Sequence, residues 1–559
     1  MSAYRILAEA LEAVAATRSK LVKIERLAVV LTSLSGGELI AAARLLSGSP
    51  FAEWEQTVTS VGWATLARAA SAVTGWDMET IGASARAIGD LGEAIGLMLP
   101  QDQTRDGQPL QILEVDGRLR DLAGMRKAAQ KQALLEDLLR RASPVEARYL
   151  VKTLSGGLRV GADLATVEEA IAAAFGADRE AVARARRDCG DIGETAEAAR
   201  AGALSGIRFR LFHPIGFMLA SPIENPQDIV EELPLFAVED KFDGIRAHAH
   251  KSGSRVTLFS RTLDDVTLQF PEIAVSLAGP PGQFLLDGEI VAWTGDRVGS
   301  FFRLQRRLGR KAPPADLLAE IPVAFIAYDC LASGETPLFE SPWRERRTEL
   351  ERLAQGGGFL LSPVRRASDA AGLEAFFSEA RERGNEGLMF KREDSPYQAG
   401  KRGRAWRKWK KALATLDVVV TAVEQGNGKR AGMLSDYTFA VRDGDRLVNI
   451  GKAYSGLTDE EIRRMGAVFR KITVAKYGPV RAVAPEVVLE VAFDTIQKSS
   501  RHKSGFALRF PRIVRIREDK TPQEADTVET VEEIWRGIQG MDRAGNGKRE
   551  TGNDGGGSQ

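Results

Sequence analysis

Glu239-Asp240-Lys241-Phe242-Asp243-Gly244-Ile245-Arg246 sets one lysine among acidic neighbours at the end of an apolar, strand-like run from Leu235 to Val238, then adds a glycine and an arginine. An amine attacks only after it loses its proton, and burial, a cationic neighbour or a metal each favours that loss. Arg246 suits a phosphate-bearing substrate, and Gly244 lets backbone come close. The octapeptide alone fits a hairpin entry with a surface ion pair equally well. Its meaning depends on the rest of the chain.

The chain has 559 residues, too many for one core, so about two to four domains are expected. Hydrophobic residues at 44% and charged residues at 27% describe a soluble globular chain. No apolar run approaches the length of a membrane span, and Met-Ser-Ala-Tyr-Arg lacks the apolar core of a signal peptide. The expected address is cytoplasmic. Two distant cysteines, Cys189 and Cys330, exclude a disulfide framework and a cysteine-rich zinc site. With a net charge of +1, a nucleic acid would have to be met by local basic patches. Two candidates are KRGRAWRKWKK at 401–411 and RLQRRLGRK at 303–311. An isolated run of this kind is more often a solvated face.

Residues up to about 205 read as successive helices, rich in alanine and leucine with apolar positions three and four apart. Ser143-Pro144-Val145-Glu146 predicts a capped helix start, and Asp163 opens a helix with Leu164, Val167, Ile171 and Phe175 on one stripe, ending near Gly176. Between them, Ser155-Gly156-Gly157-Leu158-Arg159-Val160-Gly161 is a glycine-rich turn whose amides could hold phosphates or merely join two helices. After 205, strands are expected at 236–238, 255–259, 284–290, 322–329 and 387–390, with a helix at 373–383. From Leu416 onward, strands at 417–423, 436–441, 446–450 and 486–493 surround a helix capped by Thr458 and Glu461, which fits a small barrel such as an OB-fold. The tail from about Gly540 has almost no apolar residues and is expected to be disordered.

Downstream of Lys241 come Phe259-Ser260-Arg261, Asp287-Gly288-Glu289, Ala327-Tyr328-Asp329, Asn385-Glu386-Gly387-Leu388-Met389-Phe390-Lys391, Trp406-Arg407-Lys408-Trp409-Lys410-Lys411, and a final run from Leu508 to Lys520. This series resembles the ATP-dependent DNA ligases of the covalent nucleotidyltransferase superfamily, over nearly the whole chain. The resemblance implies an all-α DNA-binding domain at 1–205, an α+β nucleotidyltransferase (adenylation, ATP-grasp-like) domain at 206–412, a β-barrel OB-fold domain at 413–540 and a disordered tail at 541–559.

The resemblance also assigns roles. Lys241 would take AMP from ATP, Glu239 would accept the adenine amino group, and Tyr328 would stand where the family stacks adenine on an aromatic, usually Phe. Glu289 would lie near the ribose, and Glu289 with Glu386 would hold metal. Arg246, Arg261, Lys408 and Lys410 would meet the nucleotide and its α-phosphate. Arg509, Asp519 and Lys520 belong to the last motif, with Asp519 and Lys520 carried to the pyrophosphate end of ATP. Asp243 and Phe301 would lie at the nick, with adjacent Phe302 leaving the register of Phe301 open. Arg148 and Arg159 lie in the helical stretch that would grip DNA phosphates without reading sequence.

The implied activity is sealing of 5′-phosphate/3′-hydroxyl nicks in duplex DNA through lysyl-AMP and DNA-adenylate. ATP would be the AMP donor and Mg²⁺ the metal, with Mn²⁺ a substitute. The implied setting is a nucleoid-associated monomer with no membrane partner, in repair, replication or recombination. Such phosphoryl transfers need cations where charge spreads over phosphate oxygens. RNA ligases and RNA-capping enzymes share the lysine chemistry, and a non-catalytic DNA-binding scaffold is a third alternative. The long helical region argues against the first two, Glu239 favours adenine over guanine, and the full set of catalytic residue types argues against the third. His248 and His250 form a His-x-His, assigned to a strand face because no third metal ligand is in view.

Overall fold

Helix follows helix from Arg5 to Arg200, and the two starts predicted at Ser143 and Asp163 carry the expected caps. Ser143 Oγ accepts from the Glu146 amide, the Glu146 carboxylate takes the Ser143 amide at 2.8 Å, and Pro144 fills the first helical position of Pro144–Leu154. Asp163 caps Leu164–Phe175, which stops at Gly176 with φ 62°. The buried stripe of that helix is centred on Val167, Ala170 and Ile171, while Leu164 and Phe175 at its ends stay half-buried. The chain is described here from a computed structural model that covers residues 3–100 and 108–544, apart from 224, 296, 300, 311, 411–413, 427–429, 431 and 494.

The described chain divides into two compact units, Met1–Met78 with Ile95–Lys411, and Glu79–Ala94 with Ala412–Gln559. In the first, the helices are followed by strands β1 (Leu219–Pro222), β2 (Phe236–Lys241), β3 (Ile245–Ser252), β4 (Arg255–Ser260), β5 (Gln283–Ala292), β6 (Val323–Ser333), β7 (Thr336–Pro337), β8 (Leu360–Leu361), β9 (Val364–Arg365), β10 (Gly387–Arg392) and β11 (Arg402–Lys410). They form a five-stranded sheet in the order β1-β11-β10-β2-β9 and a six-stranded sheet in the order β4-β3-β5-β6-β7, with β8 beside β6.

The inner face of the six-stranded sheet buries Phe284, Leu286, Ile290 and Phe325 against Ile273 and Leu277 of the helix Pro271–Ala278 and Leu350 of Trp343–Ala354. Each residue of this kind contributes roughly 1.5–3 kcal/mol on burial. Arg346 reaches from the latter helix to Asp329 on β6 through a paired contact of 2.8 and 2.9 Å, both side chains being fully buried. The helical part meets the sheets where Arg187 pairs with Glu340 at 2.9 Å and lies 4.2 Å from the Phe339 ring centre, and where Trp54 stacks on His213.

The expected strands at 236, 255, 284 and 387 lie within β2, β4, β5 and β10, and Pro322 stands just ahead of β6. The helix expected at 373–383 spans Ala370–Glu382. The basic run at 401–411 departs from the solvated-face reading. Its residues 402–410 are strand β11, whose Trp406 and Arg407 are buried.

The second unit holds β12 (Ala414–Gln425), β13 (Leu434–Asp443), β14 (Arg446–Ala453), β15 (Thr473–Tyr477), β16 (Val480–Val483), β17 (Val488–Phe493), β18 (Thr495–Lys498), β19 (Phe506–Arg509) and β20 (Arg512–Ile516). β12 pairs with β13, β16 and β17, so the seven-stranded sheet curls about that long strand. The helix Asp459–Lys471, capped by Thr458 and Glu461 as expected, lays Ile462, Met465 and Phe469 into the core, with Phe469 against Tyr437. The last helix, Val528–Ala544, runs past residue 540; residues 545–559 of the expected tail lie outside the described residues.

His248 and His250 project from β3 into full burial. His250 Nδ1 accepts the Phe212 amide at 3.1 Å, beside Phe259 and Phe212, while His248 stacks on Phe217 with Nε2 3.2 Å from the Tyr397 hydroxyl. Burial, reinforced by His248 and His213, holds His250 well below the ordinary histidine range. The unfolded chain therefore binds a proton that the folded chain refuses as pH falls below about 6.5. Stability should fall below that pH, by at most about 1.4 kcal/mol per pH unit from each such histidine. His250→Gln keeps an acceptor without titrating, so urea melts at pH 7.5 and 5.5 should differ less in the variant than in the parent.

Candidate active site

β10 is the strand that assembles the site. Gly387 lies opposite Lys241 of β2 on one side and Lys410 of β11 on the other, and Met389 lies opposite Glu239 and Lys408. The Glu386 amide donates to the Lys241 carbonyl at 2.7 Å. Strand pairing thus brings together residues about 170 positions apart in the chain, at the ends of three adjacent strands. Gly387 is required there: its φ is +154°, and a Cβ would stand 2.2 Å from the Trp409 carbonyl oxygen. Gly244 serves a similar close approach, since a Cβ there would lie 2.3 Å from the Ile290 carbonyl oxygen.

The ion-pair partner of Lys241 is a carboxylate: Nζ lies 2.6 Å from Glu386 Oε2, and Lys410 approaches the same oxygen at 3.9 Å. Burial opposes the charge on Glu386, but Lys241, Lys410 and a hydrogen bond with Asp243 pull its carboxyl below the usual range. Glu289 behaves oppositely. Burial, with the negative charges of Glu386 and Asp287, pushes it up to about 8 against the pull of Lys241 and Arg246. Burial and then the charges of Lys241 and Lys410 push Lys408 below the ordinary lysine range. Three lysines and the carboxyls of Glu386, Glu289 and Asp243 thus share one electrostatic environment. A carboxyl pushed up to about 8, chiefly by burial, is a group that a divalent cation would return to its ionised form, and hard oxygen donors suit Mg²⁺. Among the described residues no cluster of three or more His, Cys, Asp or Glu forms a complete metal cage. Substrate phosphates and water would have to complete the coordination.

A second cluster lies along the buried faces. Glu239, 1% exposed, accepts from Ser362 Oγ at 3.0 Å and pairs through the same oxygen, Oε2, with Lys391 Nζ at 3.0 Å. Its other oxygen, Oε1, is buried with no partner in the protein. Tyr328 sits where the β5–β6 register shifts between Asp287 and Gly288, an irregularity that re-aims a side chain. Lys391 Nζ lies 4.3 Å from its ring centre and donates to its carbonyl at 2.9 Å.

Arg246 was expected at the nucleotide, but its donors are engaged within the protein. Nε and Nη2 take both oxygens of Asp287 at 3.0 and 2.6 Å, and Nη1 takes the Met218 carbonyl at 2.6 Å. Burial works against Asp287, yet Arg246 and His248 hold its carboxyl well below the usual range. Arg261 lies exposed in the turn after β4; Ser260 pairs with Ala247, which puts that turn at the Arg246 end of β3.

The remaining expected residues separate into groups. Phe301 packs partly buried against the core of the six-stranded sheet, and the side chain of Phe302 lies outside the described residues. Within the basic run at 303–311, Arg303 binds the Glu320 carbonyl, exposed Arg306 pairs with the Glu320 carboxylate, and buried Arg307 binds Glu272 and the Ile321 carbonyl at 2.9 Å. Arg148 pairs with Glu12 at 2.6 Å across two helices. Arg159, exposed with φ +54°, stands in the glycine-rich loop, which buried Lys23 anchors by donating to the Val160 and Gly161 carbonyls at 2.9 and 2.7 Å. In the second unit Arg509 lies 4.9 Å from the Phe510 ring centre, and Asp519 is held by Arg517 at 2.8 and 2.9 Å. Lys520 Nζ and Arg517 both bind Asp417, at 2.6 and 2.9 Å.

Several supporting groups escaped the sequence reading: Lys391, Asp287, Tyr397, Ser362, Lys23 and Asp417. Asp287 and Lys391 stand inside quoted motifs, so the signal was the motif itself. The others have none, because their partners lie 100 or more positions away in most cases.

Residues 3–172 match the family described as DNA ligase N terminus, 217–410 the ATP dependent DNA ligase domain, and 430–520 the ATP dependent DNA ligase C terminal region. A probable DNA ligase of Koribacter versatilis is 44% identical over 95% of this chain and 96% of its own. A DNA ligase of Methanoculleus marisnigri is 37% identical over 97% and 98%. A solved structure described as Pmar-Lig_PreS3 shares the fold with a TM-score of 0.59 at 15% identity, over 91% of this chain and 99% of that one. No helix among the described residues is long and apolar enough to cross a membrane. With a β-rich nucleotidyltransferase region behind a helical one, and relatives matching end to end, the chain belongs to the ATP-dependent DNA ligases.

Proposed function

We propose that the chain seals 5′-phosphate/3′-hydroxyl nicks in duplex DNA, with Lys241 carrying AMP between ATP and the nick. The observation that carries this reading is the convergence of Lys241, Glu386, Lys408 and Lys410 at the ends of β2, β10 and β11. Once deprotonated, Lys241 Nζ attacks the α-phosphorus of ATP. A nitrogen–phosphorus bond forms, the bond from that phosphorus to the bridging oxygen breaks, and pyrophosphate leaves with the electron pair while the amine's proton passes to solvent. An oxygen of the 5′-phosphate then attacks the same phosphorus, and the lysine leaves and regains a proton. The 3′-hydroxyl finally attacks the 5′-phosphorus, gives up its proton and displaces AMP. Lys408 and Lys410 balance charge on the α-phosphate oxygens in the first two steps, and Arg261 meets the AMP or the nick phosphate. Glu289 and Glu386 would hold Mg²⁺, which supplies further positive charge to those oxygens. Glu239 and Tyr328 receive the adenine, and Arg246 supports the floor of that pocket through Asp287.

In this reading residues 1–205 form the DNA-binding domain, 206–412 an ATP-grasp-like adenylation domain and 413–540 an OB-fold, working as a monomer on the nucleoid in the cytoplasm. Asp243 and Phe301 stand toward the nick, and Arg159 contacts a DNA phosphate. Arg148 serves better as a tie between helices. Arg509, Asp519 and Lys520 act at the nucleotide during self-adenylation, with Asp417 holding Arg517 and Lys520 in place.

Incubation with Mg²⁺ and α-labelled ATP should label the protein, and added nicked DNA should discharge the label with sealing. Lys241→Ala should abolish labelling; an undiminished adduct in that variant would sink the mechanism. Arg159→Ala should weaken binding to nicked duplex and lower the salt slope of log affinity by about one, leaving self-adenylation intact. An unchanged slope would remove Arg159 from the DNA interface. Asp417→Ala should slow self-adenylation about tenfold or more, through the loss of its charge-assisted contacts to Arg517 and Lys520, while sparing sealing of a pre-adenylated nick. Equal loss in both assays would leave Asp417 a purely structural role.

A further inference from the structure

We infer that Lys391 sets the choice of nucleobase by keeping Glu239 a pure hydrogen-bond acceptor. The inference rests on the proposed adenine site and extends it to a residue behind the two that would receive the base. Lys391 is 1% exposed and stands on β10, while its ammonium leaves that sheet to bond the carbonyl of Tyr328 on β6, 2.9 Å away. It lies 4.3 Å from the Tyr328 ring centre and 4.6 Å from that of Trp406. Among the described residues its ion-pair partner is Glu239, at 3.0 Å. Both partners stand on neighbouring strands of the five-stranded sheet, and Lys391 ties them to Tyr328 on β6 of the other.

The two oxygens of Glu239 are unlike. Oε2 is saturated by Lys391 and Ser362, whereas Oε1 is buried and unpartnered. A buried polar atom left so is destabilising unless a ligand satisfies it. An ionised Oε1 accepts only, so it rewards a base that presents an amino group and repels one that presents a carbonyl oxygen at the same position. Adenine is the first kind, and guanine and hypoxanthine are the second.

That discrimination lasts only while Glu239 stays ionised. Burial pushes its carboxyl upward, and Lys391 is the largest force drawing it back, ahead of Arg347. Burial pushes Lys391 downward in turn, and Glu239 is the main charge resisting that. Without the ammonium, the buried carboxyl takes a proton, and a carboxylic acid can donate to a 6-oxo group. Lys391 is a positioning residue in this account. Its signature is a ratio between nucleotides.

The test compares covalent labelling of the full-length protein by ATP, GTP and ITP. Lys391→Met should lower labelling by ATP and shrink the ATP-to-GTP and ATP-to-ITP ratios at least tenfold at pH 7. Raising the pH should restore part of the ratio as Glu239 ionises again. Lys391→Arg, which keeps the charge, should hold the ratio close to that of the parent. If Lys391→Met lowers all three nucleotides in parallel, with the ratio and its pH dependence unchanged, the inference is overturned. Should Lys391→Met not fold, Glu239→Gln carries the test, because its amide both donates and accepts beside an intact Lys391. A shrunken ratio there supports the account, and an unchanged ratio overturns it. Failure of the parent protein to form any adduct at Lys241 would instead refute the proposed function, a different result from either.

Discussion

The pairing of β10 between β2 and β11 is the constraint on which the site depends. Antiparallel register is quantised: a slip of one residue would turn every side chain to the opposite face. Gly387 makes the register hard to lose, because only a residue without Cβ can stand so close to the Trp409 carbonyl at that φ. With Gly387 fixed opposite Lys241 and Lys410, Glu386 follows at the strand's start, where its carboxylate reaches Lys241. The spacing between Lys241 and the two downstream lysines in sequence is therefore irrelevant to their spacing in space.

Around that core, the motifs do two kinds of work. Some of their residues face the place where reactants would sit: Lys241, Glu386, Lys408 and Lys410. Others join the sheets from within, as Arg246 joins β3 to Asp287 on β5 and to the Met218 carbonyl, and as Lys391 joins β10 to β6. Asp240, beside the lysine, is consumed by Arg365, Arg383 and Asn385. A buried charge pair adds little net stability compared with an apolar replacement, but removing one partner of it leaves the other stranded at a cost of several kcal/mol. Residues of both kinds are therefore intolerant of change, and a motif read as a string does not separate them.

Much of the architecture was legible in the sequence where the signal is local. Ser143, Asp163 and Thr458 announce helix starts because a cap satisfies amides within three residues of itself. Strands such as β5 and β6 announce themselves through apolar runs. β11 did not, since seven basic residues in the run at 401–411 resemble a solvated face until Trp406 and Arg407 are seen to be buried. The site was legible as a set of motif positions, and its electrostatics were not. Lys408 and Lys410 do stand near Lys241, but the ion pair of Lys241 with Glu386 has no signal in the sequence. Within the basic run at 303–311, Arg306 stays at the surface in a pair with Glu320, whereas Arg307 is buried against Glu272. Both outcomes depend on carboxylates that only the fold brings near.

The same distinction accounts for how a chain of net charge +1 could still serve a polyanion. Many of its arginines are committed to carboxylates of the same chain, in two-point contacts such as the buried Arg246–Asp287 and Arg346–Asp329 and the more exposed Arg141–Glu114 and Arg210–Glu194. The planar guanidinium matches a carboxylate in that geometry and stays charged when buried. The candidate site relies on lysines instead, with Lys408 and Lys410 at most singly engaged and Lys408 pushed toward its neutral form by burial and by its neighbours. An ammonium is a compact charge that can rotate to follow a moving phosphate and, at one position, can give up its proton and become a nucleophile. Arginine secures the scaffold because it does not change state. In the proposed chemistry, lysine serves at the ends of β2 and β11 because it can.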